Sequence, residues 1–505
     1  MRSAYSVETV RAAERELMAR LPEGALMQRA ASGLAAACAE LLGRVYGSRV
    51  VLLVGSGDNG GDALYAGARL ARRGAGVTAL LLAPERTHPG GLAALRAAGG
   101  SAREAAGGAL DGRAAEDGAV AAGVAELIRR ADLVVDGIVG IGGSGGLRPA
   151  AVPLAVLARA SDAVVVAVDL PSGVEADSGE VRGEAVRADA TVTFGTHKPG
   201  LLIDPAREYA GATRLVDIGL RPHLPPTADL EALQHADVAA LLPSPAAESD
   251  KYRRGVVGVA AGSARYPGAA VLAVSGALHG GAGAVRYVGP AGDAVIARFP
   301  ETLVSAGPPS KAGRVQAWVV GPGVGDDAGV VDEVLASDVP VLVDADGLRL
   351  ADRAAVRART APTLLTPHAG EAAALLGTSR EEVEAARLPA VRELAARYGA
   401  TALLKGSTTL VAGPDGGPVR VNPTGTPWLA TAGSGDVLSG LAGSLLAGGL
   451  DALDAASVAA YLHGLAGRVA AGEGAPVGAS EVAATVARVW RDVVGGGWAA
   501  PSAGY

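Results

Sequence analysis

The sequence predicts an α/β fold of two successive doubly wound units, each an open sheet with helices on both faces. Short apolar runs recur along the chain, as in Arg49-Val-Val-Leu-Leu-Val54, and each ends in glycine or polar residues. Segments with helical spacing of apolar positions separate these runs, and such alternation builds parallel sheets. Pro222, Pro225 and Pro226 interrupt the pattern at about 221–232, after which a second series begins. A chain of 505 residues is long enough for two or three domains with ample cores. The expected domains are 1–220 and 233–495.

Composition narrows the class. Hydrophobic residues make up 49% and charged residues 19%, a globular balance. The formal charge of −7 argues against a nucleic-acid or anionic-membrane surface. Cys38 is the single cysteine, so an internal disulfide and a cysteine-held metal cluster are excluded. It lies in an Ala-rich apolar run and is expected to be buried as a small hydrophobe. No apolar run reaches the roughly 18 residues of a membrane span. The first residues lack the apolar core of a signal peptide, so the expected location is the cytoplasm.

Residues 6–20 have apolar positions at helical spacing, and Ser6 is placed to cap them. A second helix is predicted over 25–43. The strand at 49–54 leads into Gly55-Ser-Gly-Asp-Asn-Gly-Gly-Asp62, a helix over 63–73 and a strand over 77–82. Residues 97–123 are Gly/Ala-rich without a clear period and read as a loop with weak helix. Buried strands follow at 133–136, 163–169 and 190–194. Their ends, 137–148, 170–173 and 195–200, should gather along one rim, where ligands bind in such sheets. In the second series strands are predicted at 256–261, 284–288, 317–320, 341–344, 363–366, 402–404 and 409–412. Helices are predicted at 268–280, 326–336, 369–376, 381–398, 434–448 and 453–471.

Two glycine-rich stretches carry most of the chemistry. Gly55-Ser-Gly-Asp-Asn-Gly60 satisfies the dinucleotide fingerprint after a strand, but the acid that should end the next strand is missing. That strand runs into Leu82-Ala83-Pro84, with Glu85 only behind the proline. Asn59, Asp136 and Ser172 follow three predicted strands and offer hard oxygens, suited to a hard cation or simply to capping loops. In the second stretch Gly433-Ser-Gly435 leads into Asp436 and an apolar helix. The first amides of a helix attract phosphate. A carboxylate there can take the proton of an attacking hydroxyl, although an acid in a first helical turn is also a common structural feature.

Several motifs together resemble the bifunctional NAD(P)H-hydrate repair enzymes, in which an NAD(P)HX epimerase is joined to an ADP-dependent NAD(P)HX dehydratase. The first-half motifs are Val54-Gly-Ser-Gly-Asp-Asn-Gly-Gly-Asp-Ala-Leu64, Val135-Asp-Gly-Ile-Val-Gly-Ile-Gly142, Val168-Asp-Leu-Pro-Ser-Gly-Val174 and Val192-Thr-Phe-Gly-Thr-His-Lys-Pro-Gly-Leu201. The second half adds Lys251-Tyr-Arg-Arg-Gly255, Tyr266-Pro-Gly-Ala-Ala270, Val320-Gly-Pro-Gly323, Thr366-Pro-His-Ala-Gly-Glu371, Leu404-Lys-Gly406 and the stretch 422–440. The resemblance implies a Rossmann-like three-layer αβα domain followed by a ribokinase-like α/β domain.

For the epimerase half the resemblance implies hydrate contacts at Asp58, Asn59, Gly60, Gly61 and Asp62. Further contacts are implied at Gly140, Ile141, Gly142, Gly143, Ser144, Gly145 and Gly146, and at Asp169. It implies K⁺ held by Asn59, Asp136 and Ser172. Asp169 is the expected acid/base, with Lys198 a second polar candidate. For the dehydratase half it implies hydrate contacts at Ala270, Gly323, Thr366, Pro367, His368, Ala369, Gly370, Glu371, Ala372 and Asp436. Nucleotide contacts are implied at Lys405, Gly406, Ser407, Thr408, Thr409 and Gly435, with Asp436 as the catalytic base. ADP is the implied co-substrate and Mg²⁺ its companion. The implied partners are hydrated NADH and NADPH, with assembly as a homo-oligomer.

The chain departs from the family pattern at Trp428 and Ala432, where Gly is usual, at Ala369, where Pro is usual, and at Asp58, where Asn is usual. Ala432 would obstruct a turn needing positive φ, and Trp428 sets an indole beside the catalytic loop. Asp58 adds a negative charge near the ion site. The competing readings are a small-metabolite kinase with an accessory cofactor-binding N-terminal domain, and a cofactor-binding regulatory protein. ADP use that depends on hydrated NADH separates repair from both.

Overall fold

The computed structural model describes residues 1–105 and 117–496, so part of the region 97–123 lies outside the described residues. Two compact units emerge, Ser3–Asp229 and Leu230–Tyr505, and Met1–Arg2 groups with the latter. The change of unit falls within the proline-rich stretch, three residues before position 233.

In the first unit, after the short strand β1 (Arg2–Ala4), seven strands form one sheet. They are β2 (Arg49–Val54), β3 (Gly76–Leu81), β4 (Ser101–Glu104), β5 (Leu133–Gly137), β6 (Val164–Val168), β7 (Ala190–Phe194) and β8 (Ala212–Val216). The order is β4-β3-β2-β5-β6-β7-β8, and every pairing is parallel. Strand β2 shows why its residues are continuously apolar: Val50, Leu52 and Val54 enter one core, while Val51 and Leu53 enter the other. A parallel sheet covered on both faces needs such runs. Helices Val7–Met18, Ala25–Leu42 and Asp58–Arg72 cover one side, and helices Asp117–Arg129 and Val152–Arg159 the other. The chain leaves β2 first toward β4 and then toward β8, so the order reverses between β2 and β5. Ligand crevices open at such a reversal, beyond the carboxyl ends of the strands.

The second unit contains β9 (Leu230–Ala232), β10 (Val256–Ala260), β11 (Ala284–Val288), β12 (Leu303–Ser305), β13 (Ala317–Val320), β14 (Val341–Val343), β15 (Thr363–Leu365), β16 (Thr401–Leu404), β17 (Thr409–Ala412) and β18 (Val419–Asn422). From β9 the order runs β9-β18-β17-β16-β15-β14-β13-β10-β11-β12. The pairings from β16 through β12 are parallel, while β17 is antiparallel to both neighbours. This sheet too separates two cores. Val319 and Leu342 face helices Pro267–His279, Ser434–Ala447 and Ala452–Ala471; Trp318, Val320, Val341 and Val343 face the opposite side.

Several local expectations change. The helix after β2 begins at Asp58 and not at 63, taking Gly60 and Gly61 into its first turns. The stretch expected as loop holds β4 and part of helix Asp117–Arg129. The predicted helix 381–398 is two helices, Arg380–Ala385 and Arg387–Tyr398, broken at Ala386 with φ −130°. The linker 221–232 contains β9, which joins the second sheet. Ser6 does accept a bond from the Thr9 amide and cap its helix, and Cys38 is fully buried.

Candidate functional site

In the first unit the reversal between β2 and β5 opens into a cavity of about 1260 Å³. Helix Asp58–Arg72 points its start into it, and Asp58, Asn59 and Asp62 line the wall. Gly60 and Gly61 lie buried behind them. A side chain at Gly60 would sit 2.4 Å from the Gly55 carbonyl oxygen, so this glycine lets the helix start press onto the strand end. From the loop after β5, Gly140, Ile141, Gly142, Gly143, Ser144 and Gly146 line the cavity, while Gly145 does not. Arg11 and Glu14 of the first helix complete the same wall.

Beneath this wall the three oxygen-bearing residues gather. Asp136 is 0% exposed; its carboxylate accepts the Ser172 hydroxyl at 2.7 Å, the Ser172 amide at 2.8 Å and the Ile138 amide at 3.2 Å. Burial pushes its carboxyl up to about 6, opposed by those bonds from Ser172. The Ser172 hydroxyl also lies 3.1 Å from the Val139 carbonyl. Asn59 donates to the Val168 carbonyl at 2.5 Å, and its amide fills the space that a side chain at Gly140 would take.

Asp169 follows β6 with φ 66°, a left-handed conformation rare for a residue with a Cβ. Backbone strain of this kind clusters at functional sites. Its Oδ1 accepts from Thr193 Oγ1 at 2.9 Å, from the Phe194 amide at 3.1 Å and from Lys198 Nζ. Lys198 is 1% exposed and is fixed further by Thr193 Oγ1 and the Phe194 carbonyl. The two sequence candidates Asp169 and Lys198 are thus one buried ion pair at the cavity edge.

In the second unit Asp436 stands in the first turn of helix Ser434–Ala447, whose cap Gly433 has φ 83°. Lys405, just past β16, donates to Asp344 Oδ1 at 2.8 Å and lies 3.8 Å from Glu371. Asp344 is 1% exposed and accepts the Ser439 hydroxyl on Oδ2 at 2.6 Å. A side chain on Gly435 would come within 3.4 Å of Lys405 Nζ. Glu371, Lys405 and the adjacent pair Gly435 and Asp436, which come from three separate parts of the sequence, therefore converge.

Burial raises the Asp436 carboxyl to about 7; Asp344, Asp346 and Glu371 push the same way and Lys405 opposes them. Burial works against the charge on Lys405, yet Asp344, Glu371 and Asp436 outweigh it and hold the ammonium above its ordinary value. The site thus contains a carboxyl that changes charge near neutral pH beside an amine that stays charged. That is the pairing a proton-abstracting base and a phosphate partner require.

Other predicted residues of the second unit are in part buried. Thr366, Pro367, Ala369 and Ala372 are buried, and only His368, Gly370 and Glu371 of that loop reach the surface. His368 caps helix Ala369–Leu376, its Nδ1 accepting the Gly370 and Glu371 amides at 3.0 and 3.2 Å. Ala270 is 0% exposed and packs against Gly262. Gly323, at φ 63°, packs against Ala269 and Tyr266. Thr408 is fully buried, whereas Gly406 and Ser407 are exposed and Thr409 partly so. Arg387 ties down that loop by donating to the carbonyls of Leu404, Lys405 and Thr408.

The departures from the family pattern are accommodated. Ala432 does not have positive φ, so its methyl meets no backbone conflict. Trp428 is 40% exposed in the short turn Pro427–Leu429. Sequence reasoning missed Asp344, Ser439, His463 and Glu14. Asp344 carried a signal, since it follows a buried parallel strand as Asp169 does. His463 carried none: it lies inside an apolar helix with its ring bonded to the Ser434 backbone, and burial depresses it to about 4, with Lys405 adding to that.

A family model described as NAD(P)H-hydrate dehydratase matches residues 257–488, and one described as YjeF-related protein N-terminus matches 23–200. A bifunctional NAD(P)H-hydrate repair enzyme of Mycobacterium leprae is 49% identical over 472 residues, covering 92% of this chain and 93% of its own. One from Mycobacterium tuberculosis is 50% identical over 466 residues, covering 90% and 92%. One from Corynebacterium glutamicum is 37% identical, covering 88% and 87%. A solved ADP/ATP-dependent NAD(P)H-hydrate dehydratase of Bacillus subtilis, co-crystallised with ATP and Mg²⁺, is 30% identical. It covers 52% of this chain and 99% of its own, with a TM-score of 0.48.

Proposed function

The chain belongs to the bifunctional NAD(P)H-hydrate repair enzymes, and from that premise we propose how its residues divide the repair of hydrated NADH and NADPH. The first unit interconverts the two epimers of the hydrate in the cavity beyond β2 and β5. The second dehydrates the S epimer at the expense of ADP, returning the dihydronicotinamide and releasing AMP and phosphate.

Asp436 takes the proton of the hydrate's hydroxyl as that oxygen attacks the terminal phosphorus of ADP, and AMP departs. The outward amides at the start of helix Ser434–Ala447 and the Lys405 ammonium meet the phosphoryl charge. The phosphate then leaves with the carbon–oxygen bonding pair, and loss of a proton from the neighbouring carbon re-forms the ring double bond. The observation that carries this reading is the convergence of Asp436, Gly435 and Lys405 on one helix start, with the carboxyl poised at about 7.

Asn59, Asp136, Ser172 and the Val139 carbonyl suit K⁺. They are hard oxygens, and the fully buried Asp136 has hydrogen bonds but no cationic side chain bonded to it among the described residues. A cation there would supply that positive charge and fix the loop that follows β5. Among the described residues no group of three or more His, Cys, Asp or Glu could hold a metal, so Mg²⁺ would be held mainly by the phosphates of ADP, as is usual for that ion. No helix among the described residues is long and apolar enough to cross a membrane, in keeping with the cytoplasm as the place of action.

The test is an epimer mixture of hydrated NADH incubated with the full chain, with and without ADP, while dihydronicotinamide absorbance is followed. With ADP, recovery should proceed past the share of the S epimer, faster than spontaneous epimerisation; without ADP there should be none. Recovery that needs no ADP, or phosphorylation that yields no dihydronicotinamide, would contradict the proposal.

A further inference from the structure

We propose that Asp62 is the proton donor of the epimerisation, working against Asp169 as the acceptor; this rests on reading the cavity of the first unit as the epimerase site. Asp62 lines that cavity yet is only 6% exposed, and its Oδ1 is buried without a hydrogen-bond partner. The charged groups that act on it are all acids: Asp169 beyond β6, Asp58 on its own helix and Glu14 on the first helix. The His88 ring packs against neighbouring Gly61, its Nδ1 accepting the Gly91 amide.

An unpaired carboxylate is costly to bury, and binding a proton removes the cost. Burial, then Asp169, Asp58 and Glu14, hold the Asp62 carboxyl well above its ordinary value. The surroundings of Asp169 differ: Lys198, Thr193 and the Phe194 amide all donate to its Oδ1. The cavity therefore presents a carboxyl whose burial and acidic neighbours favour a bound proton and a carboxylate held by an ion pair, an arrangement that separates acid from base within one site. Glu14 on the same cavity is also raised: burial raises it, Lys198 opposes that, and Asp169 and Asp58 add to it.

The chemistry of the substrate needs both. Water adds to an enamine ring at the carbon bonded to nitrogen, because the nitrogen lone pair stabilises a cation there. Asp62 gives its proton to the hydroxyl oxygen, and the carbon–oxygen bond breaks with its electron pair leaving on water. The nitrogen lone pair forms a carbon–nitrogen double bond, and Asp62 is left as carboxylate. Water then adds to the other face of that carbon and yields its proton to Asp169. Transfer of this proton from Asp169 to Asp62 through cavity water resets both groups, and no oxidant or reductant is consumed.

The experiment compares Asp62→Asn, Asp62→Glu and Asp169→Ala in the full chain. The rate of R-to-S conversion is followed by separating the epimers, with the spontaneous rate subtracted and dehydration of the S epimer as control. Asp62→Asn should lower kcat by about 100-fold or more, leave KM within about threefold and leave S dehydration unchanged. Asp62→Glu, which keeps a proton to give, should recover at least about tenfold of that loss. It should also retain the fall in rate at high pH that Asp62→Asn loses. An Asp62→Asn enzyme within about threefold of wild type overturns the proposal, as does an Asp62→Glu enzyme no faster than Asp62→Asn. If only the Asp62 variants are silent while Asp169→Ala abolishes conversion, the site stands and the donor lies elsewhere. If all three are silent, the placement of the epimerase site fails as well.

Discussion

As the proposed base, Asp436 would be a residue tuned for chemistry at the expense of stability. A carboxyl whose folded value is raised contributes stability that is fully present below its unfolded value and is lost as pH rises through the folded one. For Asp436 that window runs from about 4 to about 7. Above it the ligand-free protein carries a charge it would rather not hold, a penalty of up to about 4 kcal/mol. Asp436→Asn should therefore raise Tm at pH 8 in scanning calorimetry without nucleotide, with the gain shrinking toward pH 5. A lower Tm at pH 8, or a gain independent of pH, would contradict the electrostatics argued for the site. Asp436 was legible in the sequence because it follows a Gly-rich turn and opens an apolar helix, although such an acid is also a common structural feature. Asp344 had the signal of a strand-end acid, but its partners Lys405 and Ser439 lie 61 and 95 residues away and could not be read from the sequence. The same holds for Glu14, whose acidity matters only once the first helix lies beside Lys198 and Asp169.

Among elements, helix Ser434–Ala447 is the one that aims Asp436, and its position depends on two glycines. A side chain at Gly440 would come within 1.9 Å of the Ala273 carbonyl, and one at Gly276 within 2.1 Å of the Val437 carbonyl. Helices Pro267–His279 and Ser434–Ala447 thus approach backbone to backbone. Gly440→Ala must push them apart; overpacking of this kind costs about 1–3 kcal/mol. Thermal unfolding should report that loss, and ADP-dependent dehydration should fall while epimerisation in the same chain is kept. Unchanged dehydration would mean that this contact does not set the helix position. Central strands were readable as apolar runs for the physical reason that a doubly covered parallel sheet demands them. Other strands were not: β4 is Ser-Ala-Arg-Glu and largely exposed, β9 and β12 span three residues each, and β18 alternates Arg and Asn with its valines. The early start of helix Asp58–Arg72 was hidden by Gly60 and Gly61, poor helix formers retained because a Cβ would strike the Gly55 carbonyl or Met27.

For the molecule as a whole, two α/β units follow one another and each gathers its chemistry at the carboxyl ends of its strands. Composition and the order of apolar runs were enough to expect both units. The proline-rich stretch marked their junction but concealed β9, since Leu230-Glu-Ala232 beside the prolines lacks the apolar run of a buried strand. The account of the repair itself rests on Asp436 acting as a base beside amides that hold phosphate. Its most direct test compares Asp436→Asn with wild type in the intact chain, by the initial rate of dihydronicotinamide recovery from the S hydrate at saturating ADP and by the affinity for ADP. The account predicts a rate lower by about 100-fold or more with ADP affinity nearly unchanged; a variant that keeps its rate would contradict it.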